Sequence, residues 1–319
     1  MKSSGNTCLA GVSSDSAAMP ASVAIADASS ADVGHTITLA HGCEILLACL
    51  MAARGSSFIF SKILLDTMGP FNVLAVRFLC AFVLLAVIFL RSLRAASRRV
   101  WLAGFIVGCA YFMVMALEMI ALTLADTGSV ALVEHTAIVM VPFAMAILAR
   151  RAPSIVWIAS GIVATIGVGL LTATGGHLSV GLLIALGGAV AYTMTIIATD
   201  RLTPCAQEGL AIGVIQLGVL GVLALAASAF TEEFTLPRGV VQWEMMVMLV
   251  LVCTIFGFTL QPVAQAHLSA EQTGLLAAVN PAVASVLGAV VLAESFSWVS
   301  GVGVVFILAG ITIPYLAKK

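Results

Sequence analysis

The chain has 319 residues, of which 61% are hydrophobic and only 9% are charged, and its mean hydropathy is +1.16. A soluble domain typically has about 45–50% apolar and about 25% charged residues, so the composition excludes a soluble globular protein and makes lipid the solvent for most of the chain. The formal net charge of -1 gives no reason to expect a nucleic-acid partner, which would show as a basic patch.

The first 40 residues form a separate zone rich in Ser, Ala, Gly and Asp, and Lys2 is its only basic residue. The zone lacks the charged start and continuous apolar core of a secretory signal. We therefore expect residues 1–40 to be a disordered cytoplasmic tail. The seven cysteines of the chain include no C-x-x-C pair, so the sequence indicates no disulfide framework and no metal site, and it predicts no cofactor.

Ten apolar runs follow this tail, each long enough for a helix to cross a hydrocarbon core of about 30 Å. They lie at residues 45–65, 71–90, 100–122, 130–148, 155–171, 180–198, 210–230, 243–261, 275–292 and 299–316. The sequence thus predicts an all-α polytopic membrane protein with ten transmembrane helices.

The distribution of Lys and Arg predicts the orientation of these helices, because cytoplasmic loops near span ends keep positive charge. With the N-terminus inside, the outer loops contain only Arg238. The inner segments contain Lys2, Arg91, Arg94, Arg98, Arg99, Arg150, Arg151, Arg201, Lys318 and Lys319. We expect a multi-pass protein of the cell membrane with both termini in the cytoplasm.

An internal repeat appears when the chain is shifted so that Thr127-Gly128 falls on Thr273-Gly274. The shift pairs the turn before the fourth helix with the turn before the ninth. Five helices per half is an odd number, so the second half must enter the membrane from the opposite side. The predicted units are residues 41–172, with helices 1–5, and residues 178–316, with helices 6–10. Such inverted repeats are typical of secondary transporters.

The first helix carries a polar stripe of Arg54, Ser57, Ser61 and Lys62. A charge at mid-membrane depth costs about 2.5–3.5 kcal/mol on an insertion scale, so these residues should be paired, reach the interface or line a wet cavity. Lys62 either extends toward the interface or faces the bundle, and Arg54 either pairs with a carboxylate or lines a pathway.

The third and eighth helices each place polar side chains near their ends. Glu118 is the only charged residue within the third helix. The repeat shift brings Gln265 beside the equivalent position in the eighth helix, with Gln261 one turn earlier. Arg77 in the second helix is expected to pair with Asp66 or with an acid elsewhere in the bundle.

The fourth helix contains the neighbouring pair Glu134-His135, and the same shift puts Asn280-Pro281 opposite this pair in the ninth helix. An imidazole beside a carboxylate in a low-dielectric site suits proton coupling. Adjacent helical positions do not share a face, however, so the pair also fits a structural role between helices.

Several of these stretches, taken in order, resemble the EamA-like family of the drug/metabolite transporter superfamily. The resemblance covers about residues 44–316. It rests on Arg54-Gly55-Ser56-Ser57-Phe58 with Lys62, Gly69-Pro70 leading to Arg77-Phe78, Asn280-Pro281 followed by Ala293-Glu294, and then Gly301 and Gly310.

The resemblance implies ten helices in two inverted five-helix repeats and the transport of small metabolites through a central cavity. Helices 1, 3, 4, 6, 8 and 9 would line this cavity, with Tyr192 of the sixth helix at the place equivalent to the Arg54-Gly55 turn of the first. The chain departs from the family pattern where Arg54 replaces a tryptophan and where Arg150-Arg151 replaces a Gly-Glu pair.

We therefore expect a secondary transporter, not an enzyme, that moves a small polar metabolite by alternating access with the proton as a candidate coupling ion. An amino-acid-like or carboxylated compound fits the charges best. A membrane scaffold or sensor and a membrane-embedded enzyme are the alternatives, although no H-E-x-x-H or G-x-S-x-G motif is present. The expected pathway residues are Arg54, Ser57, Glu118, Glu134, His135, Tyr192, Gln261, Gln265 and Asn280.

Overall fold

A computed structural model of the chain describes residues 24–152, 154–172, 179–203, 206–292 and 298–317. Within these ranges every regular element is a helix, as the sequence predicts. The first half contains α1 (Ala24–Leu65), α2 (Pro70–Ile88), α3 (Leu90–Ala95), α4 (Arg98–Leu124), α5 (Thr127–Glu134), α6 (Ala137–Ala149) and α7 (Ile155–Thr172). The second half contains α8 (Val180–Leu202), α9 (Ala206–Thr231), α10 (Gly239–Met248), α11 (Gly257–Thr259), α12 (Gln261–Gln265), α13 (Ala270–Leu276), α14 (Val279–Val291) and α15 (Trp298–Leu316).

Eight stretches of the described chain are long and apolar enough to cross a membrane. They are His41–Leu65, Pro70–Ile88, Arg98–Leu124, Thr127–Ala149, Val180–Leu202, Glu208–Thr231, Gly239–Gln265 and Ala270–Val291. The two other predicted spans, at residues 155–171 and 299–316, coincide with α7 and α15, which pack extensively against each other. Eight of the ten predicted spans therefore meet the criterion of length and hydropathy.

The helix α1 extends further toward the N-terminus than the sequence predicts. It begins at Ala24, so residues 24–40 continue α1 ahead of the span His41–Leu65. The alanines of this stretch, among them Ala26 and Ala28, have the highest helix propensity and allow the helix to propagate from its apolar part. The rest of the predicted tail, residues 1–23, lies outside the described residues.

The fourth and ninth spans are both interrupted, and the interruptions fall at matching places. The fourth is divided into α5 and α6 at His135-Thr136, and the ninth into α13 and α14 at Ala277-Ala278. The sequence repeat pairs Glu134-His135 with Asn280-Pro281 and so predicts a break at Asn280-Pro281. In the structure the ninth span breaks about one turn earlier, and Asn280-Pro281 lies in the first turn of α14. Proline is tolerated there, since a first-turn N–H has no partner within the helix.

Helices of the first half pack against helices of the second half. The half-helix α5 packs on α14 and α6 packs on α13, so the two interrupted spans run antiparallel. In the same way α1 packs on α14 while α8 packs on α5 and α6. Equivalent helices of a repeat related by an axis in the membrane plane must run antiparallel, and this packing accords with an inverted repeat.

A π-helical segment, Leu249–Phe256, interrupts the eighth span between α10 and α11. Within it, the Thr254 hydroxyl donates to the carbonyl oxygen of Leu249, five residues earlier, at 2.7 Å. Short π-helical segments often occur at functional sites. Here the segment directs Thr254 toward the buried Arg77 side chain of α2.

A carboxylate clasp, formed by Glu232 and the start of α2, joins the two halves. Glu232 follows α9 and accepts from the main-chain N–H groups of Phe71 and Asn72, each at 3.0 Å, and from the Asn72 amide at 3.1 Å. The Asn72 amide also donates to the Glu233 carbonyl at 2.8 Å. The side chain of Glu232 thus caps a helix from the other half of the protein.

Candidate functional site

The nine side chains predicted to line a pathway are all buried, with at most 4% of their surface exposed. They come from α1, α4, α5, α8, α12 and α14, and His135 stands at the break after α5. Burying so many polar groups is costly unless they are partnered or meet a ligand. Their arrangement therefore defines the candidate site.

Arg54 lies at the centre of this site. Its Nη1 donates to Oε1 of Gln261 at 2.6 Å and to the Tyr192 hydroxyl at 3.5 Å. Gly257 on the facing helix provides room for the side chain, since a Cβ at that position would lie 2.9 Å from Cγ of Arg54. Three sequence-predicted residues, separated by up to 207 positions, are thus brought together.

Three aromatic rings surround the guanidinium group of Arg54, and we call them the aromatic cage: Tyr111, Tyr192 and Phe258. The Cζ atom of Arg54 lies 4.0 Å from the Phe258 ring centroid, 5.4 Å from that of Tyr192 and 5.5 Å from that of Tyr111. Tyr111 and Phe258 pack edge to face with their centroids 5.3 Å apart. Distances below about 6 Å give attractive cation–π contacts, and these are strongest where water is excluded.

Arg77 is fully buried beside the aromatic cage. Its Nε donates to the Thr254 hydroxyl at 2.6 Å, whereas Nη1 and Nη2 have no hydrogen-bond partner. The expected pairing with Asp66 does not occur, because Asp66 is exposed while Arg77 points into the bundle. Among the described residues, neither Arg54 nor Arg77 has a carboxylate oxygen within 4.0 Å.

Two carboxylates share the electrostatic environment of these arginines. Glu118 is close enough for coulombic interaction with both Arg54 and Arg77, and Glu134 with Arg54. Oε1 of Glu118 and Oε2 of Glu134 are buried without a hydrogen-bond partner. The site therefore contains two guanidinium groups and two carboxyl groups that are near each other, and the hydrogen bonds of both arginines to described residues go to neutral groups.

His135 is placed by the break in the fourth span. Its Nδ1 lies 2.7 Å from the Ala131 carbonyl oxygen. Because a carbonyl can only accept, Nδ1 carries the hydrogen, and in the neutral ring Nε2 holds the lone pair. Nε2 is buried without a partner, and the ring stands edge-on to Tyr192 at 5.4 Å. The His135 ring therefore contacts the aromatic residues of the site through Tyr192.

Lys62 lies in the last turn of α1, beside the C-terminal end of α4. Its Nζ donates to the carbonyl oxygens of Leu122 and Ala125, at 2.5 and 3.1 Å. These carbonyls end α4 and have no partner within the helix, so the ammonium group satisfies them and complements the negative end of the helix dipole. Lys62 is a cap and lies outside the site.

Further polar atoms of the site also have no partner among the described residues. They are both amide atoms of Gln265, Nε2 of Gln261, Oδ1 of Asn280 and the hydroxyl of Tyr111. Each such buried group costs about 1–3 kcal/mol if it remains unsatisfied. The site thus has donors and acceptors to offer to a polar ligand.

Sequence reasoning missed two residues of the aromatic cage, Tyr111 and Phe258. The available signal was spacing: Tyr111 precedes Glu118 by seven residues and Phe258 precedes Gln261 by three, so each shares a helix face with a predicted pathway residue. Aromatic residues are common throughout apolar helices, and this spacing carries weight only once the facing helix is known.

The described residues form a helical polytopic membrane protein with a buried polar centre between two inverted repeats. The model of the EamA-like transporter family matches residues 42–173 and 179–316. The chain belongs to the EamA-like transporter family.

Among solved structures, the chain is similar to a protein of known crystal structure with a TM-score of 0.69 and 17% sequence identity, over 88% of this chain and 97% of that chain. At this identity the likeness concerns the fold alone. No curated protein matches the sequence.

Proposed function

We propose that the protein is a secondary transporter that moves a small polar metabolite across the cell membrane, and that the buried polar centre around Arg54 and Arg77 is its substrate site. The observation that carries this proposal is the set of buried charges and unpartnered polar atoms held between the two repeats. Intramembrane ionisable groups of this kind mark substrate or ion pathways.

The charges favour an amino-acid-like or carboxylated substrate. Nη1 and Nη2 of Arg77 form a planar fork that matches a carboxylate, and both are unpartnered. Glu118 supplies the complementary charge for an amino group. Gln265 and Asn280 add neutral donors and acceptors for the remaining polar atoms of the substrate.

The two interrupted spans support alternating access as the proposed transport mechanism. The breaks at His135-Thr136 and Ala277-Ala278 divide each span into two half-helices that pack across the repeat boundary. Movement of one half-helix pair against the other would open the site first to one side of the membrane and then to the other. Such breaks are tolerated within a membrane where they border a protein-lined cavity.

The orientation proposed from the charges of the loops has both termini in the cytoplasm. Ser92 and Leu236 are exposed on opposite predicted sides. In a background without accessible cysteines, an impermeant thiol reagent applied from outside should modify Leu236→Cys and spare Ser92→Cys. The reverse labelling pattern would show that the orientation is inverted.

The proton is the proposed coupling ion, with His135 as its carrier. Nε2 of His135 is buried without a hydrogen-bond partner among the described residues and is the ring nitrogen that can take a proton. Protonation would add a positive charge beside Tyr192 and Arg54. That charge would favour a different packing of the half-helices around the break.

Uptake of a pooled metabolite mixture into proteoliposomes tests the proposed function. Mass spectrometry of the vesicle contents, compared with protein-free vesicles, should show enrichment of one or a few carboxylated compounds. A scaffold or a sensor would bind without transport, and a membrane-embedded enzyme would convert a compound. Equal contents in both vesicle preparations would contradict the transporter proposal.

A further inference from the structure

The aromatic cage surrounds a cation that the chain itself supplies. Its rings come from α4, α8 and α11, and α1 brings the guanidinium group of Arg54 into their midst. Rings that converge on a cation from separate helices form the kind of site that recognises ammonium groups of ligands. The arrangement of its three rings therefore suits a cation, which can be a side chain of the protein or a group of a ligand.

The contacts of Arg54 differ from those of an arginine held in a salt bridge. The hydrogen bond at 2.6 Å goes to Gln261, a neutral amide, and no carboxylate oxygen among the described residues lies within 4.0 Å. Attraction to the rings and to the more distant Glu118 and Glu134 would act on any small cation in this position. A group held in this way can be exchanged for another cation of similar shape.

The residues around Arg54 support the replacement of its guanidinium group by a ligand cation. Gln261 presents an acceptor oxygen toward the cage, and the Tyr192 hydroxyl lies 3.5 Å from the guanidinium. Oε2 of Glu134 has no hydrogen-bond partner among the described residues and can accept from Arg54 once it leaves the cage. The displaced guanidinium group would then interact with a carboxyl group and would not be an isolated charge in the membrane.

We propose that the aromatic cage is the subsite for the cationic group of the substrate, and that Arg54 fills it when no substrate is bound. The ligand chemistry is an organic cation of the guanidinium or alkylammonium type. This inference rests on the proposed function, because it names the group by which a transported metabolite is recognised. Arg54 acts as a tethered competitor that substrate must displace.

The test uses the variant Arg54→Ala, which removes the tethered cation and leaves the rings in place. Guanidinium chloride at millimolar concentration should raise the melting temperature of this variant by a few degrees, since a ligand that binds only the folded state stabilises it. Urea, which has nearly the same shape without the charge, and sodium chloride at equal concentration should have no such effect. Wild type should not respond to guanidinium, because Arg54 occupies the site.

A second substitution connects the response to the cage. In Arg54→Ala with Phe258→Leu, guanidinium should no longer stabilise the protein, since the ring closest to the cation is gone. Arg54→Gln provides a second single variant, with a shorter neutral side chain, in case Arg54→Ala accumulates poorly. Its melting temperature should rise with guanidinium in the same selective way.

Two results would overturn the inference. One is a response of the Arg54 variants that is the same for guanidinium, urea and sodium chloride. The other is a wild type that responds to guanidinium as strongly as Arg54→Ala, which would mean that Arg54 does not fill the site. These assays measure binding in detergent. If the wild type nevertheless transports a metabolite into vesicles, the inference fails while the proposed function stands.

Discussion

Removal of the carboxylate clasp should destabilise the protein by a predictable amount. In Glu232→Ala, the N–H groups of Phe71 and Asn72 lose their acceptor, and the Asn72 amide loses one of its two. Loss of a helix cap costs about 0.5–2 kcal/mol, and loss of a negative charge at a helix N-terminus costs about 0.3–1 kcal/mol. We expect the free energy of unfolding to fall by about 2 kcal/mol.

The neighbouring residue provides a matched control. Glu233→Ala removes the same charge from an exposed side chain, while its carbonyl continues to accept from Asn72. The melting temperature of the purified protein in detergent, followed by tryptophan fluorescence, should fall for Glu232→Ala and remain close to wild type for Glu233→Ala. Equal melting temperatures for the two variants would refute the role assigned to the clasp.

Three further predictions concern the bundle and its coupling. Gly55→Ala should cost about 1–3 kcal/mol by overpacking, because its Cβ would lie 2.6 Å from the Asn280 carbonyl oxygen, whereas Gly187→Ala, with its nearest atom at 3.8 Å, should melt like wild type. Lys62→Met should lower the free energy of unfolding by about 1–2 kcal/mol, since it uncaps α4; an unchanged melting temperature would exclude the cap. His135→Gln should retain substrate exchange and abolish proton-driven accumulation, and uptake with the same pH profile as wild type would remove His135 as the carrier.

The spans were predictable from sequence because the membrane imposes a simple requirement. Each helix must be apolar over about 20 residues, and the described spans keep to the predicted runs within a few residues. The positions of the helix breaks were not predictable in the same way. The breaks of the fourth and ninth spans fall at His135-Thr136 and Ala277-Ala278, where neither proline nor glycine stands, while α6 runs through Pro142 without interruption. The eighth span, in contrast, breaks at Leu260, next to Pro262 at the start of α12.

The polar residues of the site could be found from sequence, but their partners could not. Burial cost marks Arg54, Glu118 and Glu134 as exceptional in a membrane helix, and all three are buried in the site. Whether Arg54 meets a carboxylate, an amide or a ring depends on which helices face α1. The partner of Arg54 depends on contacts between segments far apart in the chain, such as the contact with Gln261. These contacts cannot be predicted from a single sequence.

The most direct test of the central claim is the binding and counterflow of an identified substrate in variants of the site. Glu118→Gln should weaken binding in detergent and slow counterflow in proteoliposomes by roughly tenfold or more, because we expect the loss of one buried counter-charge to cost at least about 1.4 kcal/mol, which is a factor of ten in affinity. Glu244→Gln removes the same charge from an exposed position outside the site and should bind and exchange substrate like wild type. If both variants bound and exchanged substrate like wild type, the buried polar centre between the repeats would not be the substrate site.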